Sequence, residues 1–244
     1  MALLEVRGVG KSYGPLRALD QVDLSVEAGT FHGLIGPNGS GKSTLLKSIA
    51  GAHFPTDGTI AFDGADITAA PPYQRARRGL SLKFQITAVL QELSAYDNVL
   101  LALQSGETNA DLLRNRSRAR LAERVMTALD RFRLADRADD IAGELSHGEQ
   151  QWLEIAMALA PNPKLLLLDE PTGGMSPEER RVTGELLTPI KQSCALIIVE
   201  HDLDFIKNIC DRLTVLDQGR VLGDGTVDEI ERNARVQEIY TSRV

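Results

Sequence analysis

The sequence is poor in cysteine and in long apolar runs. It contains two cysteines among 244 residues. Cys194 lies in an apolar run and Cys210 follows an apolar helical segment, so we expect two buried thiols and no disulfide. Uninterrupted apolar stretches reach six residues, as in 194–199, whereas a membrane-spanning helix needs roughly 18 or more. We therefore expect neither a disulfide-stabilised scaffold nor a transmembrane segment.

An excess of positive charge is absent as well, because the formal net charge is −7. This net charge argues against a chain that binds nucleic acid through its overall electrostatic field. A local basic face would still be compatible with a negative net charge. Residues 1–5 contain no basic start, long apolar region or cleavage site, which favours a cytoplasmic location. The composition, with 43% hydrophobic and 25% charged residues, is ordinary for a soluble globular protein.

The periodicity of the chain changes after its first thirty residues. Short β-prone segments separated by glycine turns predict a small antiparallel sheet from 3–6, 22–26 and 59–62. From residue 31 apolar strands alternate with helices, which predicts an α/β fold with a largely parallel sheet covered by helices. The expected elements are strands 31–35, 164–169, 194–200 and 213–217 and helices 42–50, 176–192, 202–209 and 226–240.

The middle of the chain does not follow this alternation. Residues 90–160 contain no convincing strand, but apolar residues recur at helical spacing in 99–103 and 121–129. We therefore predict an inserted helical subdomain lodged between two strands of the sheet. Its expected bounds are 86–158, within a core formed by 1–85 and 159–244.

A glycine-rich loop lies between the predicted strand 31–35 and the predicted helix 42–50. It fits the pattern G-x-x-x-x-G-K-[ST] with Gly36, Pro37, Asn38, Gly39, Ser40, Gly41, Lys42 and Ser43. Glycines permit backbone conformations in which successive N–H groups point at phosphates. Lys42 supplies a charge for the β- and γ-phosphates, and Ser43 supplies a hydroxyl for Mg²⁺. In this context the loop predicts a nucleotide phosphate site.

Two predicted buried strands end in polar side chains, Asp169-Glu170 and Glu200-His201. Ligands of open parallel sheets lie beyond the carboxyl ends of strands, so these ends and the glycine-rich loop should converge on one crevice. We expect Asp169 to help hold Mg²⁺ through water and Glu170 to orient or deprotonate the attacking water. His201 would contact the γ-phosphate. Such residues also cap strands in proteins without catalysis, but together with the loop they favour ATP hydrolysis.

A Ser-x-Gly turn, with Ser146 and Gly148, opens a predicted helix at 147–160. The free N–H groups at a helix N-terminus form an anion site. Ser146 with Glu149 also fits a capping box, which by itself would be a plain helix cap. Both interpretations can hold, because the cap and a phosphate contact need not use the same groups.

Together these motifs resemble those of the ATP-binding subunits of ABC transporters, over essentially the full length of the chain. The resemblance implies a P-loop NTPase fold with an N-terminal antiparallel subdomain and an inserted helical subdomain. Residues 36–44, ending in Thr44, resemble Walker A, 168–170 Walker B with its catalytic glutamate, 145–150 the ABC signature, Phe84-Gln85 the Q-loop, 173–176 the D-loop and His201 the switch histidine.

The resemblance implies an active site shared between two chains. Two subunits would pack head to tail around two ATP molecules, so that Ser146 and Gly148 of one chain meet the γ-phosphate held by Lys42 of the other. Thr44 would belong to the phosphate site. The partner would be a second copy of the chain or a sister subunit.

Further roles follow from the same resemblance. Tyr13 would stack on adenine, unless it is only an exposed tyrosine at a strand end. Gln85 would touch Mg²⁺ or water and would shift the helical subdomain. Transmembrane permease subunits would dock on the region 86–104 and hold the chain at the cytoplasmic face of the membrane, with a solute-binding protein as an indirect partner.

Two signature residues, His147 and Glu149, depart from the common form L-S-G-G-Q. The form L-S-H-G-E, followed by 152–156 and combined with 173–176 and 200–202, resembles the branched-chain amino acid and urea importer branch. The resemblance implies import of a small polar or amino-acid-like solute. Urea or short amides are slightly favoured over branched-chain amino acids.

Two other functions are compatible with parts of this pattern. A soluble ABC ATPase acting on nucleic acid or ribosomes would need a long coiled coil or tandem cassettes. Only 59 residues separate Gln85 from Leu145, which is too few for either, so this function is disfavoured. A regulatory binder that holds ATP without hydrolysis is disfavoured by Glu170 and His201. The arginines at positions 114, 116, 118, 120 and 124 could meet anionic lipid or an acidic loop, but a solvated helix face is the simpler interpretation.

Overall fold

The computed structural model describes residues 2–83, 89–105 and 117–242. It contains two sheets. The smaller is antiparallel, as predicted, with spatial order β2-β1-β4-β5. Its strands are β1 (Ala2–Tyr13), β2 (Leu16–Glu27), β4 (Asp57–Phe62) and β5 (Ala65–Asp66). β1 and β2 are longer than the sequence indicated, because their alternating buried positions continue through irregular pairings at Val6–Val9 and Lys11.

The larger sheet has six strands in the order β10-β9-β3-β8-β7-β6. The strands are β3 (Phe31–Ile35), β6 (Leu80–Lys83), β7 (Leu165–Asp169), β8 (Ala195–Val199), β9 (Arg212–Asp217) and β10 (Arg220–Thr226). All neighbouring pairs are parallel except β10 with β9. This confirms the largely parallel sheet. β3, β8 and β7 are consecutive neighbours, so their carboxyl ends meet at one edge.

Helices cover this sheet, and further helices form the chain segment between β6 and β7. They are α1 (Lys42–Ala50), α2 (Pro72–Arg77), α3 (Ala95–Gln104), α4 (Ser117–Arg131), α5 (His147–Leu159), α6 (Pro177–Leu187), α7 (Leu203–Ile209), α8 (Val227–Glu231) and α9 (Ala234–Ser242). The described residues between β6 and β7 form α3, α4, α5 and short 3-10 turns, with no strand. Among the described residues no helix is long and apolar enough to cross a membrane.

Burial on both faces explains the continuous apolar runs of the central strands. Successive side chains of β7 point to opposite faces. Leu165 and Leu167 join the apolar cluster under the antiparallel sheet and α1. Leu166 and Leu168 join the cluster formed with α3, α4 and α5. The strand therefore holds its polar carboxyl end between two packed layers. Both cysteines are free and buried, as expected.

Arg75 fixes the far end of α1, the helix that follows the glycine-rich loop. Its guanidinium is fully buried and donates to the carbonyls of Ser48 and Ile49, both at 2.7 Å, and to Ala70 at 2.8 Å. Burial lowers the pKa of Arg75 to about 10. A cation at a helix C-terminus also complements the helix dipole, so Arg75 stabilises α1 in its position.

Two predicted helices have different bounds. The helix expected over 176–192 ends as an α-helix at Leu187 and continues as a 3-10 turn, Thr188–Gln192. Pro189 explains the change, because proline has no N–H and its ring clashes with the carbonyl four residues earlier. The helix expected over 226–240 is two helices, α8 and α9. Asn233 separates them and accepts a bond from the N–H of Arg235 at 3.0 Å.

Candidate active site

The glycine-rich loop 36–41 joins β3 to α1 through backbone conformations that only glycine adopts readily. Gly36 and Gly41 have φ of 145° and 107°. A Cβ at Gly36 would lie 2.0 Å from the carbonyl oxygen of Leu216, and one at Gly41 would lie 2.7 Å from that of Ala18. Neighbouring backbone therefore presses on both ends of the loop, which fixes its shape before any ligand binds.

Lys42, the first residue of α1, turns its ammonium back toward the loop. Nζ donates to the carbonyls of Gly36 at 2.7 Å and Pro37 at 2.9 Å. Burial lowers the pKa of Lys42, while the carboxylates of Glu170 and Asp169 oppose that shift. Since the hydrogen bonds described for this cation go to backbone carbonyls, it can exchange them for phosphate oxygens. The geometry thus fits the predicted polyphosphate site.

Ser40 and Ser43 supply hydroxyls to the same region. Ser40 Oγ is buried and has no hydrogen-bond partner within the described chain. Ser43 Oγ donates to Asp169 Oδ1 at 3.3 Å. Asp169 ends β7, and burial is the main cause that raises the pKa of its carboxyl. A hydroxyl beside a buried carboxyl is an oxygen-donor set of the kind Mg²⁺ prefers, so the residues fit the ion.

Glu170 and His201 lie side by side at the ends of β7 and β8. Glu170 has a left-handed backbone with φ 51°, and its N–H donates to the carbonyl of Val199 at 2.9 Å. His201 Nε2 lies 3.1 Å from Glu170 Oε1. A non-glycine residue with positive φ is uncommon, and such residues occur in turns and also cluster at functional sites. The strand ends therefore converge as expected and present an acid–imidazole pair.

Glu200 joins the loops that follow β7 and β8, a role that sequence analysis missed. This carboxyl is 5% exposed and accepts from the N–H and hydroxyl of Thr172 at 2.8 and 2.6 Å. Its other oxygen accepts from the N–H of His201 at 3.1 Å. The signal available in the sequence was an acid at the end of an apolar strand. Glu200 thus fixes the backbone on which His201 sits.

The Ser-x-Gly turn begins α5 with the predicted capping box. Ser146 Oγ accepts from the N–H of Glu149 at 3.3 Å, and Glu149 Oε2 accepts from the N–H of Ser146 at 2.8 Å. Arg137 Nη1 donates to the other carboxyl oxygen of Glu149 at 2.9 Å. In the described part of the chain, no hydrogen bond links Ser146 or Gly148 to the loop 36–43. The turn is held by its own capping box and by Arg137, independently of the glycine-rich loop.

His147 connects this turn to the loop 173–176 of the same chain. Its Nε2 lies 2.9 Å from the carbonyl oxygen of Gly173, which can only accept, so the ring carries the donor N–H there. A Cβ on Gly148 would lie 2.3 Å from Glu179 Oε1, and Glu179 caps α6 through Ser176. The residue that departs from the common signature is therefore a contact between two motifs. Sequence analysis did not assign it this role.

Tyr13, predicted to stack on adenine, lies at the end of a strand, and most of the other predicted site residues lie in the loop and at the start of α1. Tyr13 ends β1 with 41% of its surface exposed, as stacking on a base requires. The ammonium of Lys11 lies 5.2 Å from its ring centroid, and the edge of His53 packs against it at 5.8 Å. Asn38, Gly39 and Thr44 belong to the loop and the start of α1. Phe84 and Gln85 lie outside the described residues.

Within the arginine series, Arg118 and Arg124 contact other parts of the chain. Arg118 donates to Asp97, and its guanidinium carbon lies 4.7 Å from the ring centroid of Tyr96. Arg124 Nη2 donates to the carbonyl of Ala160 at 3.2 Å. Positions 114 and 116 lie outside the described residues. The two described contacts connect α4 to α3 and to the end of α5, which favours a structural role for them.

Comparison with known proteins assigns the chain to a family. Residues 19–173 match the model of the ABC transporter family. The high-affinity branched-chain amino acid transport ATP-binding protein BraF of Pseudomonas aeruginosa is 33% identical over 98% of this chain and 97% of its own length. A probable branched-chain amino acid transport ATP-binding protein, LivG of Archaeoglobus fulgidus, is 32% identical over 98% and 95%. The methionine import ATP-binding protein MetN of Haemophilus influenzae is 34% identical over 91% of this chain and 63% of its own length.

Solved structures agree with this assignment. An ATP-binding cassette of an ABC transporter in its ADP conformation matches over the whole of both chains, with 31% identity and a TM-score of 0.88. A dimeric cassette in a post-hydrolysis state, bound to ADP and phosphate, matches over 92% of this chain and 98% of its own, with 27% identity and a TM-score of 0.78. The fold is that of a P-loop NTPase. The chain belongs to the ABC transporter family and is an ATP-hydrolysing, ATP-binding subunit of an ABC importer.

Proposed function

We propose that two ATPase chains, this one and an identical or sister chain, close around two ATP molecules and that closing and reopening drive solute import. The observation that carries the proposal is the Ser-x-Gly turn. Ser146 is exposed at the N-terminus of α5 and makes no described bond to its own glycine-rich loop. A helix N-terminus of this kind stabilises an anion, and the γ-phosphate bound by a partner chain is a suitable one.

Within one chain the phosphates would lie along the glycine-rich loop. Lys42 would exchange the carbonyls of Gly36 and Pro37 for phosphate oxygens, and the N–H groups of the loop would bind the same phosphates. Tyr13 would stack on the base. Ser43, Asp169 through water and Gln85 would hold Mg²⁺, which neutralises phosphate charge when it is bound.

In the hydrolytic step, Glu170 would act on the attacking water. A water oxygen bonds to the γ-phosphorus, the bond from that phosphorus to the bridging oxygen of ADP breaks, and Glu170 accepts the water proton. His201, held by Glu200 and paired with Glu170, would donate to the γ-phosphate. Support comes from the 3.1 Å distance between His201 Nε2 and Glu170 Oε1, because two groups this close together can contact one small reactant.

A mixing experiment tests whether the site is shared between chains. Lys42→Ala disables the phosphate half and Ser146→Arg disables the turn, and both are made in a Glu170→Gln background to slow turnover. We expect neither variant to dimerise alone with ATP. Mixed, they should form a dimer with one intact ATP site, detected by light scattering and retained nucleotide. No dimer in the mixture, or efficient dimerisation of Ser146→Arg alone, would contradict a shared site.

We further propose that permease subunits dock on the region 86–104, which holds the chain at the cytoplasmic face of the membrane. Support comes from exposed apolar side chains, Leu90 with 49%, Leu101 with 43% and the adjacent Ile141 with 39% of their surface exposed. Leu101→Ser should weaken co-purification with the permeases and leave the ATPase activity of the isolated chain unchanged. Unimpaired co-purification of a Leu90→Ser/Leu101→Ser double variant would contradict this docking site.

For the solute we propose an amino acid with a branched apolar side chain. The support is the family of relatives named as branched-chain amino acid transport proteins, which match this chain over nearly its full length. Import of urea or short amides, suggested by the L-S-H-G-E form of the signature, stays an alternative prediction. Uptake of labelled leucine and labelled urea by cells with and without the chain separates the two. A deficit for urea alone would contradict the branched-chain proposal.

A further inference from the structure

A buried ion pair connects the larger sheet to the helix that carries the Ser-x-Gly turn. Lys83 is the last residue of β6, and Glu154 lies in the middle of α5. Lys83 Nζ and Glu154 Oε2 are 3.1 Å apart, and the two side chains are 2% and 3% exposed. Neither residue belongs to the phosphate site or to the turn.

The two ends of this pair lie next to functional segments. Lys83 pairs in register with Leu168, the residue before Asp169, so it lies at the carboxyl edge where the site is built. It also precedes Gln85 by two positions. On the other side, Glu154 is eight residues after Ser146 and therefore about two turns along the same rigid helix. The pair is thus a short connection between the phosphate half of the site and the turn.

Stability alone does not account for two charges in this place. Moving an ammonium and a carboxylate out of water carries a large desolvation penalty, and apolar residues of similar volume are often as stable or more stable. The neighbours of Glu154 on α5, Leu153 and Ile155, are fully buried and apolar. What a buried ion pair adds over an apolar pair is a fixed relative position of the two elements that carry it. Separating the partners leaves two uncompensated charges, whereas apolar side chains tolerate sliding.

We propose that Lys83 and Glu154 are positioning residues that fix the orientation of α5 relative to the sheet, and so place Ser146 and Gly148 for the partner's ATP. The function of that placement rests on the proposed shared site. The orientation itself is a property of one chain and can be measured without ATP or a partner.

The test uses two double variants. Lys83→Met/Glu154→Leu removes both charges and keeps the volume, so it should fold. Lys83→Glu/Glu154→Lys restores an ion pair with reversed polarity. Ile60→Val, in the fully buried core of the antiparallel sheet, is the matched control for a small loss of core stability away from α5.

Orientation is measured by spin-label distances between Arg7→Cys in β1 and Met126→Cys in α4, which packs against α5 and should move with it. Both sites are accessible, whereas native Cys194 and Cys210 are buried and resist labelling. We expect a narrow distance distribution for wild type and for Ile60→Val. The apolar double variant should give a broadened or shifted distribution, and the reversed pair should narrow it again. A distribution identical to wild type in the apolar variant would overturn the proposal.

ATP binding and kcat of the same variants then show how the orientation of α5 affects hydrolysis. Binding of ATP to a single chain should be unchanged in the apolar variant, while kcat should fall by about 10- to 100-fold, since misplacement by about 1 Å can cost that much. The reversed pair should recover part of the loss. Where the mixing experiment finds a shared site, equal kcat for the apolar variant and wild type would overturn the proposal. If the distances change but the mixing experiment finds no shared site, the positioning role stands and the shared site fails.

Discussion

The two halves of the candidate site are held in different ways. The phosphate half is fixed by backbone contacts, since Gly36 lies against the carbonyl of Leu216, and by the buried end of β7 with Asp169. The Ser-x-Gly turn itself is held by side-chain hydrogen bonds at the surface, from His147 to Gly173 and within the capping box, although the helix behind it is anchored by the buried pair of Lys83 with Glu154. Surface bonds of this kind contribute less each and rearrange more easily. The comparison suggests a rigid binding half and an adjustable completing half.

The strongest test of the rigid half is Glu170→Gln. The amide keeps the size of the side chain and its contact with His201 but cannot accept the proton of the attacking water. We expect ATP binding to persist, hydrolysis to slow by about 10²–10⁴-fold, and an ATP-bound dimer to accumulate. Turnover and retained nucleotide measure this. Arg181→Gln on the exposed face of α6 is the control, and unchanged turnover in Glu170→Gln would remove the assignment of the base.

The rigid half should also respond to acid, through His32 in β3. This histidine is buried, with Nε2 2.7 Å from Thr214 Oγ1. Burial lowers its pKa to about 4; Asp224 opposes the shift and Arg212 adds to it. The unfolded chain takes up a proton near pH 6.5 and the folded chain does not, so stability is complete above pH 6.5 and is lost as pH falls toward 4.

The effect of His32 is measured as the free energy of unfolding between pH 7 and pH 5. We expect His32 alone to account for a loss of about 2 kcal/mol over this range, so His32→Gln should reduce the pH dependence by that amount. Denaturant unfolding of both proteins at the two pH values decides it. Parallel pH profiles would show that His32 is not protonated on unfolding.

Glu200→Gln should have a smaller effect on stability. A glutamine at this position has one acceptor oxygen and one amide group, so it can satisfy Thr172 but places an N–H group against the N–H of His201. We expect a loss of about 1–2 kcal/mol in the free energy of unfolding and a reduced kcat with little change in the ATP dissociation constant. A change in ATP binding without a change in kcat would contradict the idea that Glu200 positions His201.

The difference between the two halves also explains which features could be predicted from the sequence. The loop 36–43 and the polar strand ends follow from local pattern, because a glycine-rich turn and a buried strand need particular residues in sequence order. β10 was missed, since Gly223 and Gly225 hide its strand character and the hairpin depends on positive φ at Gln218 and Gly219.

Contacts between segments far apart in the sequence could not be predicted from local sequence patterns. The bond from His147 to Gly173 spans 26 residues, and the ion pair of Lys83 with Glu154 spans 71 positions of the chain. Lys83 follows the alternating segment Leu80-Ser81-Leu82 and Glu154 lies within a helix, and either could equally have been a solvated charge. Only the packing of α5 on β6 brings them together, so the adjustable half was the less predictable one.

The smallest effect is expected at the surface contact that distinguishes this signature. His147→Ala removes one exposed hydrogen bond to the carbonyl of Gly173, which contributes about 0.5–1.5 kcal/mol. We therefore expect kcat to fall by about 3- to 10-fold, with ATP binding by a single chain unchanged and His147→Gln, which keeps a donor, close to wild type. Equal kcat for His147→Ala and wild type would show that the contact between His147 and Gly173 does not set the position of the Ser-x-Gly turn.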